Sequence, residues 1–108
     1  MIKQIEAYEP YNEQEERDKE IILSMWTEAE RRGEAIFFRE NRMAHMTASA
    51  WVVNRDRTKV LLAYHNIYNS WAWLGGHADG EEDLLAVALR EANEESGIEA
   101  VPVSPEIF

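Results

Sequence analysis

The chain has 108 residues, 45% of them hydrophobic, no cysteine and a formal net charge of −10. That leaves room for one small packed domain and excludes a disulfide framework, a thiolate nucleophile and a cysteine zinc site. The acidic balance disfavours a non-specific grip on nucleic acid or on an anionic membrane.

The N-terminus, MIKQIEAYEP, lacks the apolar run of a signal peptide, and no run approaches the ~18 apolar residues of a membrane span. A cytoplasmic location is the default expectation. Residues 1–5 are expected as a short strand, with Pro10 as a breaker. Residues 11–32 read as a helix. Asn12 is the N-cap, and Glu13, Glu15 and Glu16 lie in the first turn, where the helix dipole favours acids. Ile21, Ile22, Met25, Trp26 and Ala29 form the expected apolar stripe, Arg31 and Arg32 complement the C-terminus, and Gly33 stops the helix. The helix packs on the domain's edge or, with Met25 and Trp26 as anchors, meets a partner or a second copy. Residues 34–43 carry no clear pattern around Ile36, Phe37 and Phe38.

Residues 45–53 (HMTASAWVV) and 59–65 (KVLLAYH) read as two strands of a hairpin, joined by the polar turn NRDRT. Residues 66–70 form a polar loop, and 71–74 lead into a Gly75-Gly76 loop. His45 and His65 are strand-end packing or hydrogen-bonding residues. A three-histidine zinc site with His77 is not required by the spacing. Trp51, Tyr64, Tyr68, Trp71 and Trp73 are expected mainly as core, with stacking on a base or sugar as the sharper reading.

Residues 76–98, GHADGEEDLLAVALREANEESGI, concentrate the charge. Asp79, Glu81, Glu82, Asp83, Glu91, Glu94, Glu95 and Glu99 stand against Arg90 alone between residues 76 and 99, a local net of −7. A helix is expected over 83–96, with Leu85, Ala88, Leu89 and Ala92 as its buried stripe. Glu91, Glu94 and Glu95 fall at i, i+3 and i+4, so their carboxylates share one face. Gly97 suits the left-handed position that ends a helix, with Ile98 folding back as its hydrophobic contact. Like charges at i, i+4 destabilise a helix by roughly 0.2–0.5 kcal/mol. Such a run is either a solvated acidic face or a ligand set for a hard divalent cation.

The spacing decides in favour of the cation, because the segment resembles the signature of the Nudix hydrolases, Gly-x5-Glu-x7-Arg-Glu-U-x-Glu-Glu-x-Gly-U with U apolar. Gly76, Glu82, Arg90, Glu91, Glu94, Glu95 and Gly97 fill every fixed position, and Ala92 and Ile98 take the two apolar slots. Seven fixed residues at roughly 6% each match by chance with odds on the order of 10⁻⁹ per start. Leu74 stands where many members carry proline before the double glycine. The specific likeness lies in residues 76–98 and extends loosely back to about residue 44.

The resemblance implies an α+β fold, a Nudix-type α/β/α sandwich with a mixed β-sheet, here preceded by an N-terminal helix. Residues 1–33 are expected as a helical segment and residues 34–108 as the Nudix-type domain. The family's fold carries further strands and a second helix after the signature helix. The domain is thus expected to be incomplete, with VPVSPEIF as the start of another strand or a loop.

The resemblance also implies a hydrolase that breaks a pyrophosphate bond in a nucleoside diphosphate linked to another group. Water must attack a phosphorus already ringed by negative oxygens, so divalent charge is needed. A net charge of −10 would repel such a substrate unless a cation first neutralised the site. Glu91, Glu94 and Glu95, with the Gly76 carbonyl, are the expected ligands of Mg²⁺ or Mn²⁺. One of Glu91, Glu94 and Glu95, or a residue beyond Phe108, is the expected general base, with Glu94 and Glu91 as the expected catalytic carboxylates and Arg90 orienting them. Arg90 and Glu82 are expected to form a supporting ion pair, Gly75 and Gly97 to support the site's backbone, and His77 to approach a substrate phosphate. The expected partner is a nucleotide-type small molecule, without nucleic acid polymer or membrane; a homodimer is admitted by the Trp26 helix and an incomplete sheet edge. A non-catalytic nucleotide sensor on the same fold is the alternative. Isopentenyl diphosphate isomerisation is disfavoured by the absence of cysteine, and an acidic helical adaptor leaves the spacing unexplained.

Overall fold

The structure, a computed structural model, describes residues 1–106. It begins with a short helix, α1 (Ile2–Ala7), where the sequence suggests a strand. Five residues cannot separate a period of 2 from one of 3.6, and Ile2 and Ile5 sit three apart, as a helix facing a neighbour requires. Ile5 is buried, and Lys19 Nζ donates to the carbonyls of Glu6 and Tyr8 at 2.6 and 2.7 Å, tying the end of α1 to the next helix.

That helix, α2 (Glu13–Arg32), starts and stops as its caps dictate. The Asn12 side chain accepts from the Glu15 amide at 3.0 Å, and Gly33 takes the left-handed conformation at φ 69°. Its buried stripe is narrower than expected. Trp26 and Ala29 are buried and Ile22 and Leu23 pack beside them, whereas Ile21 and Met25 are exposed. Trp26 meets the Phe37 ring edge-on at 5.2 Å between centroids. An anchor already spent inside the molecule is not free for a partner, so the expectation of Trp26 as an interface anchor is corrected.

Four short strands follow: β1 (Thr47–Ala50), β2 (Ala63–His65), β3 (Ser70–Ala72) and β4 (Leu74–His77). All pairing is antiparallel among the described residues, β1 with β4 and β2 with β3. The expected hairpin between residues 45–53 and 59–65 survives only around its turn. There Val53 bridges Val60, and the Asn54 and Leu61 amides bond the Lys59 and Val52 carbonyls. Asn54 caps this turn, its side chain accepting from the Thr58 and Lys59 amides. Gly75 and Gly76 lie in β4, not in a loop. Neither has positive φ; extended backbone suits them, and lack of space, not left-handed geometry, calls for glycine.

The last helix, α3 (Leu84–Ser96), is capped by Asp83, whose side chain accepts from the Leu85 and Ala86 amides. It ends at Gly97, φ 70°, as expected. The predicted stripe is rotated: Leu84, Val87 and Ala92 are buried, while Leu85, Ala88 and Leu89 are only half-buried. Ile98 is exposed and makes no buried cap contact; its amide instead donates to Ser96 Oγ. α3 packs on β1 and β4, and the core joins Ile5, Trp26, Ala29, Ile36, Phe37, Ala78, Leu84 and Val87. Residues 101–106 adopt no helix or strand, and Ile107 and Phe108 of the expected final strand or loop lie outside the described residues.

Leu74, 1% exposed, is the largest side chain that β4 buries toward α3. Leu74→Ala is expected to cost about 2–5 kcal/mol through lost burial and an unfilled cavity, read as a lowered urea midpoint at unchanged slope.

Candidate active site

Alternation along a strand puts Leu74 and Gly76 on the face of β4 that meets α3. At Gly76 the two elements nearly touch. A Cβ built there would lie 2.5 Å from both Glu91 Cδ and Oε2, and 2.9 Å from Oε1. The missing side chain is thus the cradle in which the Glu91 carboxylate lies against backbone. Glu91 is the least exposed of the three glutamates, at 18% for its side chain. Its position explains the rotated stripe: placing Leu84, Val87 and Ala92 inward carries residue 91 to the rim of the buried face.

Arg90 closes this cradle. One terminal nitrogen, Nη2, donates to Glu91 Oε1 at 2.9 Å and to the His77 carbonyl at 3.0 Å, bridging α3 to β4. The neighbouring Glu91 carboxylate raises the guanidinium further above its ordinary value. Arg90 therefore pairs with Glu91 and not, as expected, with Glu82, which is exposed and forms no ion pair among the described residues. Glu95 lies one turn on, with Oε2 3.4 Å from the Gly75 amide. Glu94 projects into solvent from the same region of α3.

These donors are hard oxygens from one helix face beside the backbone of Gly75 and Gly76, a chemistry that suits Mg²⁺ or Mn²⁺. Among the described residues no three His, Asp or Glu side chains are gathered closely enough to hold a metal as they stand. Glu94 and Glu95 are exposed, and Glu95 alone of the two lies against the glycine backbone. The three carboxylates thus fit such an ion in donor type.

The three histidines separate. His77 and His45 stack at 5.0 Å between centroids, and His45 Nδ1 lies 3.1 Å from the Asn41 carbonyl. His77 Nδ1 is buried without a hydrogen-bond partner. His65 stacks instead on Tyr68 at 4.7 Å. The aromatic residues expected mainly as core are exposed: Trp51, Tyr64, Tyr68, Trp71 and Trp73 all face water. Tyr64 and Trp71 form a cross-strand pair of β2 and β3, and Trp51 neighbours Trp73 just outside the ends of β1 and β4.

Sequence reasoning missed the turn between β4 and α3. The Ala78 carbonyl accepts from the Glu81 amide at 3.0 Å, with Asp79 (φ 49°) and Gly80 (φ 92°) in the middle. Positive φ at both central positions belongs to a primed turn, for which Asp-Gly is a strong sequence signal. Arg39 grips Asp79 with two bonds, Nε to Oδ1 at 2.8 Å and Nη2 to Oδ2 at 2.5 Å. Nothing in the sequence announces a pairing over that separation.

The Arg39 guanidinium holds the Asp79 carboxyl below its ordinary value. A depressed carboxyl stabilises the fold at pH above its unfolded value, near 4, and that contribution fades as pH falls through the folded value. Acidification is therefore expected to leave the turn intact at pH 5 and to loosen it below about pH 4. The check is the Gly80 amide resonance, whose acid transition should move up towards the ordinary carboxylate range in Arg39→Ala.

No curated protein matches the chain. No helix among the described residues is long and apolar enough to cross a membrane. The sequence profile of the NUDIX domain matches residues 43–107, more than half of the chain and the whole of the Gly76–Glu91 cradle. The chain belongs to the Nudix family, whose members are in general hydrolases that use divalent metals on small nucleotide-type substrates.

Proposed function

We propose that this chain hydrolyses a pyrophosphate bond in a nucleoside diphosphate linked to another moiety, with Mg²⁺ or Mn²⁺ as cofactor. The observation that supports the reading is a fully occupied signature whose Glu91 and Glu95 lie against the Gly75-Gly76 backbone, with Glu94 on the same helix. We assign Glu91, Glu94, Glu95 and the Gly76 carbonyl to the metal. A bound divalent ion would offset the charge of the phosphate oxygens and acidify water. We assign Glu94, exposed and without an ion pair among the described residues, to accept the proton of the attacking water. A new oxygen–phosphorus bond forms as the anhydride oxygen leaves with its electron pair. Arg90 keeps Glu91 aimed at Gly76, and His77 is assigned to the substrate phosphate. Gly75, Glu82 and Gly97 support the backbone around them. Residues 1–33 are proposed as helical support for the domain of residues 34–108.

The test is hydrolysis of a panel of nucleoside diphosphate derivatives with Mg²⁺ and after chelation. Metal-dependent release of a nucleoside monophosphate supports the reading, and the best substrate names the leaving moiety. Metal-dependent binding of the same compounds without turnover would instead establish a sensor.

A further inference from the structure

Three contacts run from residues 37–39 to the turn at residues 78–81, and each holds a different part of it. The Gly80 amide donates to the Phe37 carbonyl at 2.9 Å. The Phe38 ring covers Gly80 so closely that a Cβ there would lie 2.7 Å from Phe38 Cζ. Arg39 binds both carboxylate oxygens of Asp79. The neighbouring backbone is pinned as well, since Met46 N bonds the Ile36 carbonyl and Ala78 N bonds the Met46 carbonyl. Residues 37–39 precede the stretch matched by the NUDIX domain.

The turn needs such a clamp. Asp79 is a non-glycine residue at φ 49°, a conformation L-residues adopt sparingly and one that persists where its surroundings over-determine it. It also lies in the segment with a local net charge of −7, which only a cation from elsewhere can offset. An exposed ion pair contributes little by itself. Bidentate geometry joined to a covering ring and a backbone bond on the next residue is a different case. Downstream, Glu81 Oε1 accepts from the Asp83 amide, and Asp83 caps α3. The turn thus sets where α3 begins relative to β4, and with it how Glu91 meets Gly76.

We propose that Arg39, with Phe37 and Phe38, is a positioning residue for the candidate site: it clamps the Asp79-Gly80 turn and so fixes the approach of α3 to the Gly76 cradle. The proposal deepens the hydrolase reading and rests on it for its catalytic consequence, but its structural half stands alone.

The experiment uses the full chain and three variants: Arg39→Ala, Asp79→Asn and the double variant. Asn-Gly is the preferred pair for a primed turn and removes the charge that Arg39 neutralises, so Asp79→Asn supplies what the clamp supplies. Three readouts are taken: amide exchange at Gly80 and Glu81, Mn²⁺ binding followed by its spin-resonance signal, and kcat and KM separately. Arg39→Ala should lose protection at both amides, weaken Mn²⁺ binding by about 3–10-fold and lower kcat with little change in KM. The double variant should recover most of all three. An Arg39 that touches substrate directly would instead raise KM, and Asp79→Asn would not restore it; that result overturns the proposal. So does unchanged amide protection in Arg39→Ala. A wild-type chain that neither binds Mn²⁺ nor hydrolyses the panel sinks the hydrolase reading, while the exchange data still decide whether the clamp exists.

Discussion

Glu94→Gln is expected to lower kcat on the best pyrophosphate substrate by about 10²–10⁴-fold, the range for losing a positioned proton acceptor, with no loss of stability. The second half of that expectation makes the variant informative. Glu94 is exposed and makes no ion pair or side-chain hydrogen bond among the described residues, so its amide isostere changes charge and little else. Glu91→Gln is a poorer choice, because it also deprives Arg90 of its carboxylate partner and mixes a local packing change into the kinetics. Chelation of the wild type should reproduce the loss and excess Mg²⁺ should reverse it. Full turnover in Glu94→Gln would move proton acceptance to another group and leave Glu94 as solvated surface.

The adjacent glycines should give opposite signatures. At Gly76 an added methyl meets the far end of the Glu91 side chain at 2.5 Å, a group that can swing away. Gly76→Ala is therefore expected to cost under about 1 kcal/mol in stability, like most substitutions that surroundings can absorb. Displaced from its cradle, however, Glu91 should lose activity by at least about 100-fold, since an ångström of misplacement at a site can cost that much. At Gly75 the methyl meets the Ala48 carbonyl oxygen and Ser49 Oγ, each at 2.6 Å, and Ser49 Cα at 2.8 Å. Backbone there cannot step aside, so Gly75→Ala should cost about 1–3 kcal/mol by overpacking and split the β1–β4 pair. Urea melts and single-substrate kinetics on both variants separate the two. Equal destabilisation by both would mean that the Glu91 carboxylate is as fixed as the strand beside it.

The long helices were legible because their signals were redundant. Asn12, the acids of the first turn and Gly33 all agree about α2, and Gly97 agrees with the acidic spacing about α3. The face of a helix is a finer matter than its existence. Leu85 and Leu89 fit an apolar period as well as Leu84 and Val87 do, and only the strands beneath decide which pair goes inward. The family was readable from residues 76–98 alone, while the site's supports were not. The Arg39–Asp79 clamp spans 40 residues, and Arg90 had two carboxylates within reach of a plausible pairing. The double glycine was misread as a loop because glycine advertises conformational freedom; here its use is the absence of a Cβ between β4 and its neighbours. The surface aromatics differ from expectation because Trp and Tyr in short strands and the loops beside them can rest on a neighbouring ring without a core to enter.

The membership of the core has a practical consequence. In the main cluster Ile5, Trp26, Ala29, Ile36 and Phe37 come from residues before 43, and Ala78, Leu84 and Val87 from the stretch that defines the family, where Leu74 and Ala92 are also buried outside the cluster. A fragment trimmed to residues 43–107 would keep Glu91, Glu94 and Glu95 yet lose five of the eight buried residues of that cluster. Similarity in sequence and membership of the buried cluster thus draw different borders on this chain, since residues that carry none of the signature positions supply most of that cluster.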